Sequence, residues 1–274
     1  MAEIDIDGFL EKVRLTRQKA TYKEYHKTLA QYLSWLGQRA PDRQNAEEFI
    51  IDLARRGLAP NSIMRHAATL KGLFRHSGLF LYVQTPSRVK RLPTWLEEKE
   101  MNELLKVCED MSASVPGRRY LYPMVVTMLA TGMRVSETLT LSRQQVLPGG
   151  RLRLLRKGNA EGIIAMEDED AAVLERWMAP NGKPQDRVFA GISYSMFQRD
   201  LRDAARMARI PKSIRPHSLR HTCGTMMARA GTDVEVIATQ LGDTVENARI
   251  YIHAAATTTK AGLPGVLKSM RKSN

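Results

Sequence analysis

Apolar side chains recur at steps of three and four along most of this chain, and alternate singly in one short stretch only. Tyr22, Tyr25, Leu29, Tyr32, Leu33 and Leu36 form the first such stripe, and Gly37 follows it. Ala46, Phe49, Ile50 and Leu53 repeat the pattern before Gly57, and Ile63, Ala67, Leu70 and Phe74 repeat it before Gly78. That period places apolar residues on one helix face, and a glycine just past the stripe ends the helix. Further helices are expected over 120–131 (ended by Gly132), 169–179, 194–209, 218–230, 233–241 and 244–252. The alternating stretch is Arg151-Leu152-Arg153-Leu154, with Lys157-Gly158-Asn159 as a turn signal and 162–166 as the return strand. The expected fold is mainly α with a small β-hairpin, the hairpin making the second half an α+β domain.

The helical period breaks over 82–93, where Pro86, Ser87 and Pro93 bracket Arg88, Lys90 and Arg91. Proline resists helix continuation, and the segment has no apolar period. This divides the chain into a helical domain at 1–85, a basic linker at 86–93 and a larger domain at 94–274. Thr94-Trp95-Leu96-Glu97 has the Ser/Thr-x-x-Glu form of a capping box and is expected to open a helix. At 274 residues, two ordinary domains fit the length.

Lysine and arginine number 42 against 29 acidic residues, a net charge of +13. An excess of that size favours a polyanionic partner, most often nucleic acid. Cys108 and Cys223 are the only cysteines, too few for a disulfide framework or paired-cysteine zinc spacing. Both read as small core residues in a reducing cytosol. The acidic start Met1-Ala2-Glu3-Ile4-Asp5 lacks a signal-peptide core, and no apolar run reaches membrane-spanning length. A cytoplasmic protein without a membrane partner is expected.

Four clusters could carry chemistry. Arg134, at a helix start after Gly132, can offer a planar fork to phosphate, with Glu137 orienting it or merely solvating a turn. Lys157 is either a turn lysine in water or a cation that swings into a groove and donates a proton. In Arg215-Pro216-His217-Ser218-Leu219-Arg220-His221, a helix starting at Ser218 lets His217 and Arg220 share one face. Tyr251 is a core tyrosine with a polar tip or a phenolic nucleophile, which needs cations or a base because its pKa is about 10. Arginine, histidine and lysine without a carboxylate cage suggest phosphate chemistry without a metal.

Arg134, Lys157, His217-x-x-Arg220 and Tyr251 stand in the order and approximate spacing of the tyrosine recombinases. The surrounding words Thr131-Gly132-Met133-Arg134-Val135-Ser136-Glu137, Pro216-His217-Ser218-Leu219-Arg220-His221 and Tyr251-Ile252-His253 are similar to that family's signature boxes. The chain thus resembles a family that includes phage integrases, Xer-type recombinases and transposon-encoded resolvases. The resemblance implies a two-domain, C-shaped clamp on duplex DNA, with 1–85 as the core-binding domain and 94–274 as the catalytic domain. It implies that Tyr251 attacks a scissile phosphate to form a 3′-phosphotyrosyl bond, with neither cofactor nor metal. Arg134 and Arg220 would bind the phosphate, Lys157 would protonate the leaving 5′ oxygen, and His217 would bind phosphate or manage the tyrosine proton. The tail after Tyr251, with Leu263, Val266, Leu267 and Met270, would pack on a neighbouring protomer in a DNA-bound tetramer. One position departs: the family usually follows Leu-Gly with His or Trp, and here Leu241-Gly242 is followed by Asp243. Asp243 is counted with the site, either offset by Arg220 or another cation, protonated, accepting a hydrogen bond that positions a neighbour such as Tyr251, or simply capping the helix near Thr244 and pointing away from DNA. A type IB topoisomerase and a non-catalytic DNA-binding protein are the alternatives.

Overall fold

The computed structural model describes residues 4–87, 93–155, 161–178 and 182–258. The chain separates into two compact units, Met1–Arg91 and Leu92–Asn274.

The first unit is helical: α1 (Ile6–Thr16), α2 (Lys19–Leu36), α3 (Arg43–Arg55) and α4 (Pro60–His76). The stripes read from sequence become its core, with Leu29, Tyr32, Phe49, Ile50, Leu70 and Phe74 all buried. Each such side chain contributes about 1.5–3 kcal/mol when fully buried. Helix α1 was not expected. It seats only Phe9 and Val13 fully in that core, too few residues to show a period. Its start is fixed by Asp5, whose carboxylate accepts from the Gly8 N–H at 2.8 Å.

The second unit holds α5 (Glu98–Ser114), α6 (Leu121–Thr131), α7 (Val135–Thr140), β1 (Val146–Leu147), β2 (Arg151–Leu155), β3 (Glu161–Ala165), α8 (Asp168–Trp177), α9 (Tyr194–Met207), α10 (Pro216–Arg229), α11 (Val234–Leu241) and α12 (Val245–Thr258). Helix α6 is apolar nearly all round, as a helix enclosed by others must be. It packs on α5, α8 and α10. The sheet is antiparallel in the order β1-β2-β3. Leu152 pairs with Ile164 in the β2–β3 register, and both side chains are buried. Both cysteines are buried free thiols.

Four details differ from the sequence reading. The sheet has a third strand, β1, whose two residues are too short to alternate. Helix α5 starts three residues later than the Thr94 box suggests. Leu96 is buried with its N–H on Thr222 Oγ1 at 2.9 Å, which holds this stretch extended. Glu97 therefore serves as the cap, and Glu100 reaches back to its N–H at 2.8 Å. Helix α10 opens at Pro216 rather than Ser218, because proline suits the first helical position. Helix α12 runs on to Thr258, so Tyr251 lies in its middle and not near its end.

Candidate active site

Two helix-ending corners and one helix face build the site, all within the second unit. Helix α6 ends at Gly132 with φ 66°, and α11 ends at Gly242 with φ 61°. A left-handed residue at such an end is normally glycine. At Gly132 the requirement is double, because a Cβ would also run into the Leu241 side chain.

Arg134 follows the first corner as the cap of α7. The Glu137 carboxylate accepts from the Arg134 backbone N–H at 2.8 Å and from its Nη1 at 3.1 Å. Nη2 of Arg134 donates to the Gly242 carbonyl at 3.1 Å. Of the two sequence readings of Glu137, the orienting one is the one this geometry matches.

Arg220, on the first turns of α10, is only 1% exposed. Its Nη1 donates to the carbonyls of Gly132 at 2.8 Å and Leu241 at 2.6 Å. Its Nη2 donates to Asp243 Oδ2 at 3.1 Å, and Arg134 Nη2 lies 3.6 Å from the same oxygen. Two guanidinium groups thus converge on one carboxylate oxygen. The other oxygen, Oδ1, accepts from the Thr244 N–H at 3.0 Å and from Asn247 Nδ2 at 2.7 Å, at the start of α12. Of the roles open to Asp243, ion-pair partner and helix cap are both present, one on each oxygen. Burial works to raise the Asp243 pKa, but the bonds from Asn247, Thr244 and Arg220 outweigh it and hold it below the usual carboxylate value.

Tyr251 is 3% exposed. Burial pushes its phenol above the ordinary value, Arg220 opposes the rise, and Asp243 adds to it. Its hydroxyl lies 3.2 Å from Nδ1 of His221. His217, one turn before, meets His221 edge to face with ring centroids 4.3 Å apart. Among the described residues, no hydrogen bond joins His217 to Tyr251. The outer side of His217 is exposed, yet the protein wall beneath the ring, with Arg220 and Arg134, lowers its pKa.

The structure therefore brings Arg134, His217, Arg220, Asp243 and Tyr251 together on four neighbouring elements. Lys157 lies outside the described residues, as does the tail carrying Leu263, Val266, Leu267 and Met270. His221 is the residue whose place the sequence left open. Its signal was the i,i+4 spacing from His217, which sets both rings on one face of a helix.

Residues 94–258 match the phage integrase family, and residues 6–77 match the phage integrase N-terminal SAM-like domain. The tyrosine recombinase XerD of Pseudomonas putida is 30% identical over 91% of this chain and 92% of its own length. The chain is a tyrosine recombinase of the phage integrase family. XerD of Pseudomonas aeruginosa is also 30% identical over the same shares. Among solved structures, this recombinase is similar to XerH bound to a palindromic difH substrate in a post-cleavage complex. That likeness has TM-score 0.72 at 18% identity, covering 90% of this chain and 80% of that one. It is also similar to a lambda integrase dimer bound to a COC′ core site, with TM-score 0.69 at 14% identity, covering 90% and 94%. These structural likenesses establish the fold, mainly α with a small sheet. No helix among the described residues of this recombinase is long and apolar enough to cross a membrane.

Proposed function

We propose that the chain is a site-specific DNA recombinase in which Tyr251 cleaves one strand of duplex DNA and holds its 3′ end as a phosphotyrosine. The freed 5′-hydroxyl of a partner strand then reverses the step, so the phosphodiester energy is kept without ATP. The observation that carries this reading is the convergence of Arg134 and Arg220 on one anionic oxygen, with Tyr251 beside them. Two fixed guanidinium groups stabilise charge that develops on the non-bridging oxygens. Residues 1–85 serve as the core-binding domain, 94–274 as the catalytic domain, and 86–93 as the link. The net charge of +13 supplies sequence-independent affinity for phosphates. Two paired sites with a tetramer of this chain complete the assembly, in the cytoplasm. Trapping on a nicked suicide duplex tests the reading: a covalent adduct through Tyr251 supports it, and none sinks it.

Lys157 is assigned the leaving-group proton from its place in the motif order. Lys157→Ala is expected to slow cleavage by about 10²–10⁴-fold. A duplex with sulfur at the 5′ bridging position needs no such proton and is expected to restore the rate. Equal defects on both substrates would leave Lys157 a phosphate binder only.

Asp243 supports the arginines but does not carry the reaction. Backbone carbonyls and Glu137 hold both guanidinium groups as well, so their aim survives loss of its charge. Asp243→Asn is expected to keep single-turnover cleavage within about tenfold of wild type, or about 1.4 kcal/mol in the barrier. A loss as deep as that of Tyr251→Phe, with DNA binding intact, would make Asp243 essential.

A further inference from the structure

We propose that His221 receives the phenolic proton of Tyr251 as the tyrosine attacks phosphorus, a role that rests on Tyr251 being the nucleophile. Helix α10 grips the phenol at both ends. The hydroxyl sits 3.2 Å from His221 Nδ1. The ring lies flat against the helix at Gly224, where a Cβ would stand 2.9 Å from Cγ, Cδ1 and Cε1 of Tyr251. His221 and Gly224 are three apart and share one helix face. A side chain at position 224 would push the ring off this seat and lengthen the hydroxyl contact. His217 has the family's motif position, but its ring packs on His221 and reaches toward solvent.

The step balances with His221 in its Nε2–H form, which leaves Nδ1 free to accept. The Tyr251 O–H bond breaks toward Nδ1 while the phenolic oxygen bonds phosphorus. The P–O5′ bond breaks, and O5′ takes its proton from the general acid. In rejoining, the His221 imidazolium returns the proton to Tyr251 as the phenol leaves. Burial first, then His217 and Arg220, hold the His221 pKa down to about 4, so the ring is neutral at ordinary pH. Because the phenol is a far weaker acid than that, transfer occurs together with attack and not before it. His217 and Arg220 on α10 and Tyr251 on α12 face the ring. Asp243 and Arg134 act on it through Tyr251 and His217. From α6, α9 and α11, no charged side chain among the described residues bears on it.

The test is single-turnover adduct formation on the nicked duplex by the full chain, from about pH 6 to about pH 10. His221→Asn offers an oxygen near the Nδ1 position but cannot take a proton. At neutral pH its adduct rate is expected to fall by about 10²–10⁴-fold with DNA retention unchanged. The deficit is expected to shrink as pH rises, because an ionised phenol needs no base. A wild-type rate, or a deficit constant with pH, overturns the proposal. So does a pH-dependent deficit in His217→Asn without one in His221→Asn. If His221→Asn fails to fold, ¹⁵N-histidine NMR of wild type decides. His221 Nδ1 is expected to be unprotonated and to shift in Tyr251→Phe; a protonated Nδ1 overturns the proposal. An adduct that persists in Tyr251→Phe overturns the nucleophile assignment and this proposal with it, whereas a pH-flat deficit overturns only this one.

Discussion

Tyr251→Phe is expected to abolish the covalent protein–DNA adduct while the protein retains its DNA site. The substitution removes one oxygen and leaves the ring where it is, flat against α10 at Gly224. The fold therefore loses the contact with His221 at 3.2 Å and the interaction of the hydroxyl with Arg220, each a net contribution of about 0.5–1.5 kcal/mol. With Tyr251 as the nucleophile, cleavage is expected to be lost entirely, because phenylalanine has no atom that can bond phosphorus. Gel-shift titration beside denaturing electrophoresis of a suicide-substrate reaction separates the two effects. Weakened binding equal to the lost cleavage would mean that Tyr251 is structural.

Arg220→Lys comes next in expected size. The substitution keeps the charge and most of the length. A lysine nitrogen is a point donor, however, and cannot span the Gly132 and Leu241 carbonyls while reaching Asp243 as the planar fork does. Adduct formation is expected to fall by about 10²–10³-fold, the loss typical for one donor aimed at developing charge. Arg220→Ala goes further, removing the donor that the Gly132 and Leu241 carbonyls share and the nearer of the two guanidinium partners of Asp243. Breaking a fully buried ion pair costs about 3–5 kcal/mol, and this pair, whose Asp243 side chain is 22% exposed, costs less. Adding Asp243→Asn to Arg220→Ala is expected to recover part of that stability, because the stranded charge goes. A double mutant no more stable than Arg220→Ala alone would show that the pair is uncoupled. Acid gives an independent reading. The Asp243 pKa is lowered in the fold, so its contribution is full above the ordinary carboxylate value and is lost as pH falls through the lowered one. Arg220→Ala is expected to flatten that acid limb in thermal melts.

The helices were legible in the sequence wherever one face is apolar and a glycine ends it, as at Leu36-Gly37 and Thr131-Gly132. They were less legible where tertiary contacts set the boundary. Thr94 has the right chemistry for a cap, but Leu96 is drawn into the core and Glu97 takes over. Glu97 is in turn held by Arg229 at 2.6 Å, a residue 132 positions away. That Arg134, His217, Arg220, Asp243 and Tyr251 would lie together was readable from motif order. The site's internal wiring was not. The i,i+4 spacing of His217 and His221 says that they share a face, but only the docking of α12 on α10 decides which of them meets Tyr251. Asp243 was visible as a departure. That its two oxygens face different ways could come only from the corner at Gly242.

The two glycine corners leave the arginine pair with an uneven tolerance of sequence change. Three of its anchors are peptide carbonyls, at Gly132, Leu241 and Gly242, and every amino acid carries one. The anchors are therefore interchangeable in chemistry and fixed only in path. A side chain near these bends can drift without withdrawing a ligand, so long as the chain still turns there. A substitution at Gly132 is expected to disturb the bend there and, through the Leu241 side chain, the second corner, loosening the carbonyls that hold Arg220. Selection for activity in a mutant library would thus also fall on a residue that has no functional group at all.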